Sequence, residues 1–152
     1  MIEDQNIILA RRIVEEGFGD GQPGVFDELA DDDFIEHQSG MKTSKEGPQA
    51  AINALHHAFP DITYSLINVL ADKDLVTTHY RAKGTHKGNL GPMPATGKTF
   101  EIDVIDIMRF KDGKLHEHWG VPDRLAMIES LGFWPPKFEV RPLEGTSHRA
   151  SF

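Results

Sequence analysis

At Asp61 the hydrophobic pattern of this chain changes period, from helical spacing before it to strand-like alternation after it. DQNIILARRIVEEGF sets Ile8, Leu9 and Ile13 at helical spacing and runs into Gly17 and Gly19, which end a helix. VFDELADDDFIEH predicts a short helix, an acidic turn and an extended piece around Phe34–His37. EGPQAAINALHHAFPD is the clearest helix: Pro48 suits a first turn, Ile52, Leu55 and Phe59 share a face, and Pro60 follows its end. Beyond Asp61, ITYSLINVLADKDLVTTHYRAKG reads as two strands joined by the polar turn Ala71–Asp74, and TFEIDVIDIMRF and LHEHWGV as a second hairpin joined by KDGK. GTHKGNLGPMPATGK, dense in Gly and Pro, is a loop, and DRLAMIESLG is a short C-terminal helix stopping at Gly132. Helices first and long antiparallel strands afterwards describe an α+β domain. The helices cover one face of a strongly curved sheet, whose concave side leaves a cleft for a small ligand.

Composition narrows the function classes. A chain of 152 residues, 39% hydrophobic and 26% charged, suits one soluble domain; we expect it to span residues 1–140, with Phe133 and Trp134 packed on it and a flexible tail at 141–152. No apolar run approaches the roughly 20 residues of a membrane helix, and the acidic N-terminus does not resemble a secretory signal, so a cytoplasmic location is the expectation. With no cysteine there is neither a thiol nucleophile nor a thiolate metal site. The net charge of −8, with Lys and Arg scattered, argues against a nucleic-acid partner and against phosphate or coenzyme A recognition. The eight histidines raise the question of a metal. His116 and His118 share a strand face, but no compact motif such as HExxH occurs, and no metal or cofactor is expected.

The richest stretch is LHEHWGVPD, residues 115–123. Read as a three-residue loop with Gly113 as a bulge residue, FKDGKL sets Asp106 opposite His118, Met108 opposite His116 and Val104 opposite Gly120. A two-residue Asp-Gly loop would instead set Asp106 opposite Trp119 and separate the pair, since a one-residue slip moves every side chain to the other face. On the expected register Val104, Asp106, Met108, His116, His118 and Gly120 face the cleft. Ile105, Ile107, Trp119 and Val121 form an apolar outer face that suits a homodimer. Asp123, after Pro122, reads as a helix N-cap.

These motifs, with Gly84-Thr85-His86-Lys87-Gly88, Pro94-Ala95-Thr96-Gly97-Lys98, the DGK turn and HEHW in that order, resemble the SnoaL-like polyketide (ester) cyclases of the nuclear-transport-factor-2-like superfamily over roughly residues 5–135. The resemblance implies a cone-shaped, cystatin-like α+β fold and cofactor-independent removal of a proton next to a carbonyl, followed by aldol closure of a ring. It also places the family's catalytic aspartate on Gly120 and its partner histidine on Asp106, so this chain departs from the cyclases at both positions.

The chemistry expected from the residues present is an Asp106–His118 dyad. A carboxylate beside an imidazole orients the ring and raises its basicity, which makes His118 the expected base. His86 or His37 would donate to the developing enolate oxygen, and Gly120 would leave room for substrate. Val104 and Met108, with Leu55 and Phe59 from the helix, would line a site for a small apolar or aromatic substrate. Isomerisation and dehydration use the same step. A non-catalytic small-molecule binder, or a hydrolase or hydratase activating water with the dyad, are the alternatives.

Overall fold

The computed structural model describes residues 1–134; the expected tail at 141–152 lies outside the described residues. Helix α1 (Ile2–Arg12) continues as a π-helical segment, Ile13–Gly19, followed by α2 (Val25–Leu29), β1 (Ala30–Glu36) and α3 (Glu46–Ala58). Four long strands come next: β2 (Thr63–Asp72), β3 (Leu75–Thr85), β4 (Thr99–Lys111) and β5 (Lys114–Pro122). Helix α4 (Arg124–Ser130) ends the described chain, its first turn capped by the Asp123 carboxylate, which accepts from Ala126 N at 3.0 Å.

The sheet order is β1-β5-β4-β3-β2. All neighbours are antiparallel except β1, which runs parallel to β5. The acidic run Asp31–Asp33, expected as a turn, is part of β1. Its charges find partners there: Asp31 Oδ2 meets His116 Nδ1 at 2.6 Å and Asp32 meets Lys45 at 3.6 Å. Alternation is strict on β4, where Phe100, Ile102, Val104, Asp106, Met108 and Phe110 turn inward.

Inward residues gather into two apolar clusters. One joins Leu9, Ile13, Phe26 and Ile52 to Tyr80, Met108, Phe110 and Leu115; the other joins Phe59 and Ile62 to Phe100, Ile102, Val104 and Leu131. Burying each large apolar side chain contributes about 1.5–3 kcal/mol, so these clusters supply the main drive to fold. Asp106 stands on β4 between Val104 of the second cluster and Met108 of the first, a carboxylate at the seam of two apolar bodies.

The β4–β5 hairpin corrects the expected register. Its loop is the two-residue Asp112-Gly113, both at positive φ (50° and 74°), with Lys111 paired to Lys114 and Phe110 to Leu115. A β-bulge follows at once, since Arg109 pairs with Glu117 and His116 is left over. From there Asp106 faces Gly120, Met108 faces His118 and Val104 faces Pro122. The tight turn alone would have sent His118 outward; the bulge adds one residue and turns it back in. His116 itself, expected on the cleft face, is the bulge residue and reaches Asp31 of β1.

Candidate active site

His118 and Asp106 are diagonal neighbours on the inner face, a separation of roughly 7–8 Å between backbones that a long side chain can span. His118 Nε2 lies 3.0 Å from Asp106 Oδ1, and on the other side His118 Nδ1 lies 2.7 Å from Glu36 Oε2. All three residues are buried, with exposures of 2% for His118, 6% for Asp106 and 2% for Glu36. The last residue of β1 thus completes a carboxylate–imidazole–carboxylate row that the sequence did not reveal. Glu36 gave no signal because its partner comes from a parallel strand pairing across 82 residues.

Two acceptor carboxylates require both ring nitrogens to carry protons. Burial by itself would push the imidazole down, but the hydrogen bonds and charges of Asp106 and Glu36 outweigh it and push His118 up to about 10. The upward push and the carboxyl oxygen at each ring nitrogen favour an imidazolium that donates at both ends. Both ring nitrogens are thus engaged by carboxyl oxygens, and the ring stands behind Asp106 rather than on the cavity wall.

The cleft is a cavity of about 330 Å³, enough for a small ligand. Its walls are mainly apolar, with Leu55, Tyr64, Ile102, Val104 and Met127 among them, and Asp106 opens onto it. The remaining polar groups are Gln38, the Tyr64 phenol and Arg124 at the rim, whose Nη2 donates to Ser39 O at 3.0 Å. Burial, with the Asp106 charge, pushes the Tyr64 phenol up, so it stays neutral and able to donate.

Of the residues expected to bind substrate, Val104 and Leu55 line this cavity and the others do not. Met108 and Phe59 are fully buried in the two clusters. His37 is on the outer surface, stacked on Trp119 at 4.4 Å between ring centroids and paired with Glu117 at 2.8 Å, because the residue after buried Glu36 points the opposite way. His86 is buried against Phe59 and Phe133, its Nδ1 3.1 Å from the Thr96 hydroxyl. Gly120 gives no open space: a Cβ there would coincide with the Gln38 amide oxygen and lie 3.1 Å from Asp106 Oδ1. Among the described residues no cluster of His, Asp or Glu has the arrangement of a metal site.

The family model for SnoaL-like polyketide cyclases matches residues 8–131. Aklanonic acid methyl ester cyclase DauD of Streptomyces sp. (strain C5) is 31% identical over 143 residues, covering 90% of this chain and 88% of that one. Aklanonic acid methyl ester cyclase DnrD of Streptomyces peucetius is 33% identical over 110 residues, or 71% of this chain and 75% of its own length. In fold, TsrD from Streptomyces laurentii superposes with a TM-score of 0.76 at 22% identity, over 85% of this chain and 96% of that one. A SnoaL-like polyketide cyclase from Agrobacterium tumefaciens does so with 0.62 at 16%, over 77% and 91%. With the match running from α1 through α4 and taking in every strand of the cavity, the chain belongs to the SnoaL-like polyketide cyclase family.

Proposed function

We propose that this cyclase acts without a cofactor on a small apolar or aromatic carbonyl compound, and that Asp106 is its base. The observation that carries the reading is the division of labour in the buried row: Asp106 opens onto the cavity, while His118 and Glu36 stand behind it. Asp106 Oδ1 is held by the His118 imidazolium, which leaves the other carboxylate oxygen for substrate. That oxygen takes a proton from the carbon next to a carbonyl, and the C–H electrons pass into an enolate. The enolate carbon then attacks a second carbonyl carbon in the same molecule, forming the C–C bond, and Asp106 returns its proton to the new alkoxide. Apolar walls exclude water that would compete for the enolate. By analogy with the names of its relatives, a polyketide methyl ester is the substrate class that this cavity suits.

The test is α-proton exchange, which needs no ring closure. Aklanonic acid methyl ester and methyl benzoylacetate are incubated with the protein in D2O, and deuterium incorporation is followed by proton NMR. Asp106→Asn keeps the shape of the side chain and is expected to lose the catalysed exchange, about 10²–10⁴-fold. Full exchange by that variant, or none by the wild type on either ester, overturns the reading.

A homodimer through the outer face belongs to the same proposal. Ile105, Ile107 and Val121 are exposed there beside Trp119; the wild type is expected to sediment as a dimer and Ile107→Glu as a monomer, and a wild-type monomer overturns it.

A further inference from the structure

The side chain of Gln38 stands where a side chain at position 120 would stand. Gly120 is the cross-strand partner of Asp106, and the space its missing Cβ leaves beside the Asp106 carboxylate is taken by the Gln38 amide oxygen, so the NH2 of the same carboxamide is the end left to donate. The placement of Gln38 is tied to the buried row. Its backbone N–H donates to Glu36 Oε1 at 2.8 Å, and the other oxygen of that carboxylate accepts from His118. Glu36 therefore sets the position of the Asp106–His118 pair and of Gln38 together. Gln38 and Asp106 both line the cavity.

Proton removal next to a carbonyl moves charge from the carbon to the oxygen one atom away. A base therefore works best with a donor beside it, aimed where that oxygen will be. Asp106 can only accept, Arg124 stands at the rim, bonded to Ser39, and the atoms nearest the Gly120 notch belong to Gln38 and Asp106 rather than to the Tyr64 phenol, the other neutral donor on the wall. An amide can donate while remaining neutral, so it does not neutralise the base next to it.

We propose that Gln38 is a catalytic residue: its carboxamide, seated in the notch left by Gly120, donates a hydrogen bond to the enolate oxygen formed when Asp106 takes the proton. The inference rests on Asp106 being the base, and it adds the group that stabilises the product of that step. It also gives Gly120 a purpose, since any side chain there would displace the amide.

The test measures the same exchange on the full chain with Gln38→Ala, Gln38→Glu, Gly120→Ala and the double variant Gln38→Ala/Gly120→Ala, alongside Asp106→Asn and Tyr64→Phe. Loss of one such donor is expected to lower kcat about 10²-fold, with KM shifted less than about 3-fold, as for an interaction made mainly in the transition state. Gln38→Glu, which keeps the shape but removes the N–H donors, should lose as much as Gln38→Ala, whereas Gln38→Asn, measured beside them, keeps an amide donor and should lose less. Gly120→Ala should show a similar loss, and the double variant should be no slower than Gln38→Ala alone, because the two changes remove one interaction. Unchanged unfolding temperatures in the Gln38 variants would exclude a purely structural effect. If Gln38→Ala keeps the wild-type kcat while Asp106→Asn is inactive, the inference fails and the base assignment stands; a rise in KM alone, or the loss appearing in Tyr64→Phe instead, also overturns it. If Asp106→Asn stays active, the base assignment fails whatever Gln38 does.

Discussion

His118 Nε2 and Asp106 Oδ1 meet at 3.0 Å although the two residues are not cross-strand partners, His118 facing Met108 and Asp106 facing Gly120. The offset matters. A directly opposed pair would have presented the imidazole and the carboxylate side by side to the cavity. The diagonal places the ring behind the carboxylate, where Glu36 reaches its far nitrogen.

Stability should fall on the alkaline side. A group pushed from 6.5 to about 10 on folding contributes stability that is fully present below pH 6.5. That contribution is lost as pH rises through about 10, because the unfolded chain releases its proton first. Urea midpoints measured between pH 6 and 10.5 should decline over that window in the wild type, and the decline should shrink in His118→Gln. The same variant leaves two buried carboxylates without their shared cation and should lose about 3–5 kcal/mol at pH 7.

The pH dependence of exchange should carry the same mark. With His118 protonated throughout the neutral range, no limb is expected near 6.5, and activity should fall toward pH 10 as the imidazolium is lost. Glu36→Gln removes one of the two anions that raise the ring. Its alkaline limb should move to lower pH, and the His118 ring proton signals in NMR should titrate with it.

The turn is testable by one substitution. Gly113 sits at φ 74° with nothing near its missing Cβ, so Gly113→Ala should destabilise by about 1 kcal/mol through backbone strain alone. Deleting His116 should have the opposite character for the site. It removes the bulge, keeps His118 on the inner face, and should preserve its high titration point in NMR while losing the Asp31 contact.

The cavity wall can be thickened without touching the row. Val104 lines the cavity beside Asp106, and Val104→Phe should occupy space that substrate needs. KM for the methyl esters should rise at least about tenfold, as removing shared binding of ground and transition states requires, and because Val104 also belongs to the second apolar cluster the added volume should cost about 1–3 kcal/mol in urea unfolding.

Much of this protein was legible in its residues. The change of period at Asp61 gave the α+β class, the strict alternation of β4 gave the inner face with Asp106 on it, and the order of loop, DGK turn and HEHW gave the family. The Asp106–His118 contact was also legible, although the expected turn differs from the one found. The two alignments differ by two residues, and since side chains alternate with period two, both put the pair on the same face. Local pattern reports which face a residue occupies, because that depends on parity, and parity survives an even error.

What only the tertiary structure decided is who stands behind whom. Glu36 and Gln38 come from a parallel strand and the turn after it, elements without any sequence signal for their partner, and they convert a dyad into a row with an amide at its end. Long-range pairing sets distance and depth, and depth determines the charge on His118. The sequence determined that an imidazole and a carboxylate would meet on the concave side; the packing of β1 against β5 decided that the imidazole would be held as a buried cation and the carboxylate left to face the cavity.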